Sequence, residues 1–221
     1  FKRLVAAFFI NQLGSAISTA LVVFYIRNVL GEQQSSILML LVYYGFALLG
    51  IPFWISFSAR VSKHKTWCLA LIGFGFFQMG YLFLGQGDFY YMLPITACTG
   101  FLGGTFWVIP NSMKADVIDI DRLESGEDRT AWFFAVWSFT TKLALSIGAS
   151  IALWLLAFVG FQPGVESTAE GLTGLTLLFV FGPATGFWLA AMIAWKYPLD
   201  KKAQTDLIRR LDESRNRGVA N

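Results

Sequence analysis

The chain has 221 residues, of which 56% are hydrophobic, 17% aromatic and only 14% charged, with a net charge of +3 and a mean hydropathy of +0.58. Soluble domains carry about 25% charged residues, so this composition excludes an ordinary water-soluble domain and points to a membrane as the solvent. Two cysteines without CxxC or histidine spacing exclude a disulfide framework and a zinc centre, and no cofactor is expected.

Six windows lack Asp, Glu, Lys and Arg: 4–26, 33–59, 66–87, 89–113, 130–165 (interrupted only by Lys142) and 171–195. Each has at least 22 residues, and about 20 suffice for a helix to cross the hydrocarbon core. The chain therefore reads as an all-α membrane protein, with a six-helix transmembrane bundle over 1–197 and a cytoplasmic amphipathic tail over 198–221. If odd-numbered helices leave the cytoplasm, the inner segments hold 15 of the Lys and Arg residues and the outer loops only Arg27. That asymmetry predicts a multi-pass protein of the cell membrane with both ends of the segment cytoplasmic. The net charge then reflects topology, and no nucleic-acid partner is expected. The start FKRLVAAFFI has an apolar run too long for a signal peptide and no cleavage pattern. With Phe1 in place of an initiator Met, the chain is expected to be a piece of a longer one.

The first helix carries Asn11, Gln12, Ser15, Ser18 and Thr19, a polar content that predicts a face toward protein or water rather than lipid. The second ends in GIPFWISFSARVSKHK, where Pro52 is expected to bend it and the basic cluster to anchor it at the interface. His64 in that cluster reads as a solvated loop residue, and Cys68 and Cys98 as small apolar packing residues. Gly73, Gly75 and Gly80 in the third helix lack dinucleotide-loop spacing and read as helix packing. Gly100 and Gly104 in the fourth have GxxxG spacing, which lets backbones approach closely. Trp107 stands within about two turns of the charged segment that follows, as an interfacial belt residue or an aromatic platform lining a cavity.

That segment, KADVIDIDRLESGEDR, holds six acids against Lys114, Arg122 and Arg129. Its spacing fails the calcium-loop pattern. It reads either as a solvated charged helix laced by i, i+3 and i+4 pairs or as ion pairs that hold one face of the protein closed in one state.

The fifth helix contains Lys142, about 13 residues from Arg129 and hence roughly 20 Å along a helix. A lysine at that depth costs about 2.5 to 3.5 kcal/mol on insertion scales. Small or hydroxylated residues such as Ala135, Ser138, Ser146 and Ala149 share its face, which predicts that it looks toward a protein interior or a wet cavity. No span contains an Asp or Glu, so its partner is a ligand, an acidic loop residue or a group outside this chain. The sixth helix ends at Trp195, Lys196 and Tyr197, an interfacial anchor. In the tail, Leu207, Ile208 and Leu211 make one apolar stripe for the membrane surface.

The stretch PNSMKADVIDIDRLESGEDRTAWFFAVWSFTTK resembles the glycoside-pentoside-hexuronide:cation symporter family, the melibiose-carrier type of the major facilitator superfamily, in its carboxy-terminal half. The family pattern falls on Pro110, Met113, Ala115, Asp116, Asp119, Glu124, Gly126, Arg129, Phe134, Ala135 and Lys142, and PFWISFSARVSKHK resembles an earlier family segment. Ile120, Ser62 and Thr130-Ala131 stand where the family usually has Tyr, Gly and Glu-Gly. The resemblance implies helices 7 to 12 of a 12-helix carrier, not an enzyme, that moves a sugar or glycoside by alternating access. It implies Na+ or H+ coupling, with the ion bound mainly by an amino-terminal six-helix half that is the bundle's partner. By the same resemblance Lys142, Trp107, Trp137, Ser138 and Thr141 are substrate-binding residues, and Asp116, Asp119 and Arg129 belong to a cytoplasmic gate. A lysolipid-like amphiphile is the alternative cargo. A retinal-type protein with Lys142 as Schiff base is the other reading, opposed by the helix number and the missing carboxylate counterion.

Overall fold

The computed structural model describes residues 1–32, 36–161 and 168–197. Six helices follow one another: α1 (Lys2–Phe24), prolonged by a π-helical turn at Tyr25–Val29, then α2 (Ser36–Arg60) and α3 (Lys63–Gln78), which tightens into a 3₁₀ turn at Met79–Phe83. α4 (Phe89–Ser125), α5 (Thr130–Phe158) and α6 (Ala169–Trp195) complete the bundle. All six are long and apolar enough to cross a membrane, and the described residues contain no strand. The expected tail helix lies outside the described residues.

Local chemistry sets the helix limits. α4 ends at Gly126, whose φ of 71° and amide bond to the Arg122 carbonyl make a left-handed cap, a conformation that glycine adopts without steric cost. Two residues later Asp128 Oδ1 accepts the Thr130 amide at 3.1 Å, and α5 begins. α6 is capped by Thr168, whose hydroxyl accepts the Gly171 amide at 3.2 Å, an N-cap bond. α2 continues through Pro52 to Arg60. α4 likewise runs unbroken past Met113, where its charge-free window ends, so the acidic segment from Lys114 to Ser125 is helix.

The helices form an open arc in the order α2, α4, α3, α6, α1, α5. Glycines bring their axes together. A Cβ on Gly104 would stand 2.5 Å from the Ala47 carbonyl, one on Gly50 2.5 Å from the Phe101 carbonyl, and one on Gly100 would meet the Tyr43 carbonyl. The GxxxG pair of α4 is therefore the seam with α2, as close backbone approach requires. Gly14 and Gly186 make the corresponding contact between α1 and α6.

Two cores fill the arc. One lies at the end where α1 begins and α6 finishes, around Leu4, Phe8, Trp67, Phe74, Ile109, Met113, Phe133 and Phe187. The other lies at the opposite end, around Leu21, Tyr25, Tyr81, Phe89, Leu156 and Phe179. The first end also carries the charged residues and is called the charged end below. His64 sits there in the first turn of α3, only 3% exposed, with its ring 6.3 Å from that of Tyr197. This corrects the expectation of a solvated loop residue: α3 starts at Lys63, so His64 falls on the inner face of its first turn. Cys68 and Cys98 are free, and Cys68 is fully buried. The described residues contain no cluster of potential metal ligands.

Candidate functional site

The gap in the arc is a cleft of about 430 Å³ between α1 and α4, flanked by α2 and α5. That volume lies within the range of small-molecule sites. α1 contributes Gln12, Ser15, Ser18 and Thr19; α2 Tyr43 and Tyr44; α4 Trp107 and Asn111; α5 Trp137 and Thr141. Phe74, Phe106 and Phe187 close its floor with ring centroids 4.7 to 5.3 Å apart. Phe8 stacks on Trp137 at 3.8 Å, which joins α1 to α5 at the charged end.

The walls are chemically biased. Ser15 and Thr19 donate their hydroxyl protons to carbonyls one turn back at 3.0 and 2.9 Å, and Thr141 does so to Trp137 at 2.9 Å. A hydroxyl bonded this way has only acceptor capacity left for the cleft. Gln12 Oε1 accepts Asn11 Nδ2 at 3.2 Å, so its own amide hydrogens are left to donate. The indole of Trp107 is 61% exposed and meets Tyr44 edge-on at 6.1 Å. The site thus offers hydroxyl acceptors, amide donors and flat aromatic faces, a combination suited to a polyhydroxylated or amphiphilic solute.

Of the five expected substrate residues, the structure brings Trp107, Trp137 and Thr141 together. Ser138 and Lys142 are not among the lining residues; both lie on the exposed side of α5. The reason is rotational. α5 packs through Phe133, Trp137, Thr140, Ala144, Gly148 and Ala152, and Lys142 is two residues from both Thr140 and Ala144, about half a turn away. Its small-residue neighbours face outward from this chain, while Thr140 is buried. Lys142 makes no ion pair among the described residues.

The expected gate residues fall into separate pairs. Lys63 Nζ reaches both carboxylate oxygens of Asp116 at 2.6 and 2.7 Å, with both side chains largely buried. Arg129 lies 3.1 Å from Glu127 and 3.7 Å from Asp121, and Arg122 lies 3.1 Å from Asp128. Asp119 takes part in no ion pair among the described residues. Hydrogen bonds from Thr130, together with Arg122, hold the Asp128 carboxyl below its ordinary value of 3.8. Burial pushes the Tyr197 hydroxyl up to about 12, helped by the Asp116 charge.

Sequence reasoning found the polar stripe of α1 but gave it no role. It missed Tyr43, Tyr44 and Asn111, and it counted Lys114 among the solvated charges. Lys114 is in fact 5% exposed. Its Nζ sits 3.9 Å from the Phe134 ring centroid and 5.1 Å from that of Trp137, and donates to Asn111 Oδ1 at 3.2 Å. The i, i+3 spacing of Asn111 and Lys114 before an acidic run was the available signal.

Six helices long and apolar enough to cross a membrane define a multi-pass membrane protein. The model of the family described as MFS/sugar transport protein matches residues 1–201, and the chain belongs to that family, whose members are transporters rather than enzymes. It is 27% identical to the uncharacterized symporter YjmB of Bacillus subtilis over 89% of this chain and 43% of that protein. It is 26% identical to the sodium-dependent lysophosphatidylcholine symporter 1-A of Danio rerio, over 91% of this chain and 38% of that protein. Identity to the glucuronide carrier protein homolog of Escherichia coli is 25%, over 86% of this chain and 42% of that protein. The chain thus spans less than half the length of these relatives.

Proposed function

We propose that the chain is the carboxy-terminal six-helix half of a cation-coupled symporter in the cell membrane, with the charged end cytoplasmic, which carries a sugar or glycoside by alternating access. The observation that carries this reading is the cleft itself. Its polar and aromatic lining lies between α1 and α4, while the outward faces of α2 and α5 carry uncovered residues such as Leu41, Leu48, Phe139 and Lys142. A second half seated against α2 and α5 would close the site near mid-membrane, and rocking of the halves would open it to either side. Lys142, on the uncovered face of α5, then meets its partner in that second half or in the coupling site. Ser138 belongs to the same face. Asp116 with Lys63, and Arg129 with its acids, hold the cytoplasmic side by charge pairs that can break and reform.

A lysolipid-like amphiphile is the second reading, favoured by the phenylalanine floor of the cleft and by likeness to a relative named for lysophosphatidylcholine. The Schiff-base reading gives way to the family. The full-length carrier in proteoliposomes tests the proposal: an imposed Na+ or H+ gradient should drive uptake of at least one solute from a glycoside panel. Uptake of lysophosphatidylcholine alone would select the second reading, and no gradient-driven uptake of either class would overturn both.

A further inference from the structure

Lys114 stands apart from the other cations of the chain. It is the most buried of the described lysines and arginines, yet it forms no ion pair among the described residues. Among the described residues its ammonium donates to the neutral carboxamide oxygen of Asn111 at 3.2 Å and faces the rings of Phe134 and Trp137. An ammonium has three protons to place, and taking it out of water without an anion costs several kcal/mol. Ring faces recover only part of that. Asn111 and Trp137 both line the cleft, so the ammonium lies one side chain behind its wall.

Arrival of an anion at this end of the cleft would change the balance. An Asn111 rotation of one χ step would admit a carboxylate or phosphate oxygen to Lys114, giving a charge-assisted hydrogen bond. Trp107 and Trp137 would flank the same group's apolar carrier. Among the described residues no acid pairs with it: Asp116, two residues on, is already held by Lys63.

We propose that Lys114 with Asn111 forms an anion subsite of the cleft, and that the solute bears a carboxylate or phosphate recognised there. This rests on the reading of the cleft as a solute site, and it assigns the solute an acidic group. The two sources of that group, a sugar acid or a lysophospholipid, share the chemistry and separate in the test.

The experiment measures binding, which is independent of coupling, on the purified full-length carrier. Calorimetric titrations use methyl β-glucuronide, the neutral methyl β-glucoside and lysophosphatidylcholine, against wild type, K114M and K114R. The expected result is that one acidic probe binds at least 10-fold more tightly than methyl glucoside. K114M then weakens that probe about 10- to 100-fold and the neutral glucoside less than 3-fold, while K114R restores most of the loss. K114M should also melt at the same temperature as wild type or higher, because a buried unpaired charge has been removed; a purely structural lysine predicts lower. Equal weakening of acidic and neutral probes, no weakening of either, or no preference for an acidic probe in wild type overturns the inference. Acid-selective binding that depends on Lys114 but is accompanied by no gradient-driven uptake would support the subsite and overturn the symport reading.

Discussion

The α3–α6 side of the bundle and the α2–α5 side are both built from helices apolar enough to cross a membrane, yet they bury very different shares of them. α3 and α6 close on each other through fitted contacts: a Cβ on Gly75 would strike the Trp188 indole, the Cys68 thiol points at the Ala191 carbonyl at 3.4 Å, and Gln78 donates to the Phe179 carbonyl at 2.9 Å. α2 and α5 are the open ends of the arc, each packed along one stripe only. Leu48 and Leu49 are 68% exposed on α2, and Phe139 is 67% exposed on α5. Hydropathy cannot separate these cases, because lipid, a neighbouring helix of the same chain and a second half all accept leucine. What separates them is small residues set against backbone on one side, and an isolated lysine with hydroxylated neighbours on the other.

Substitutions on the two sides should therefore diverge. The largest effect is expected at Trp137, 6% exposed and stacked on Phe8: W137A should destabilise the full-length carrier by about 3 to 5 kcal/mol. F76A, on a residue 71% exposed on α3, should change stability by less than about 0.5 kcal/mol; thermal unfolding in detergent compares them. Next comes the α2–α4 seam, where G104V forces a side chain against the Ala47 carbonyl and should cost about 2 to 3 kcal/mol. G45A on α2, with nothing within 4 Å of its Cβ, should be neutral or slightly stabilising.

A smaller effect is expected at the charged end. D116N leaves the largely buried Lys63 ammonium without its bidentate carboxylate and should cost about 1 to 3 kcal/mol. The exchanged pair K63D/D116K should recover part of that in a double-mutant cycle. The smallest is at Asp128. Its carboxyl is held below 3.8 by Thr130 and Arg122, so its contribution is complete above that pH and fades as the pH falls below it. D128A should thus lower the melting temperature slightly at pH 7, and the difference from wild type should shrink as the pH falls below 3.8.

The fold was legible because charge-free windows map onto helices one for one, and the acidic run could extend α4 only as helix once Gly126 supplied the stop. The cleft was legible where polar residues interrupt an apolar pattern, as at Gln12, Ser15 and Thr19, and where an aromatic sits at a family position, as at Trp107. Other parts depend on rotation and depth, which spacing alone does not fix. A difference of two residues decides whether α5 presents Thr140 or Lys142 to α1, and side-chain size does not report which. Lys114 and His64 lay in stretches dense in charge, where burial by a neighbouring helix leaves no mark on local composition.

The proposed carrier makes the α1–α4 cleft an aqueous solute path and leaves the outer α3–α6 surface to lipid. This is tested most directly by alkylation of single cysteines in membranes bearing the full-length carrier, with Cys68 and Cys98 replaced by alanine. Thr141→Cys lines the cleft and Ile72→Cys lies on the outer surface by Trp188 and Met192. A water-soluble maleimide should label the cysteine at Thr141 at least 10-fold faster than the one at Ile72. Equal rates, or a protected cysteine at Thr141 beside a reactive one at Ile72, would contradict the account.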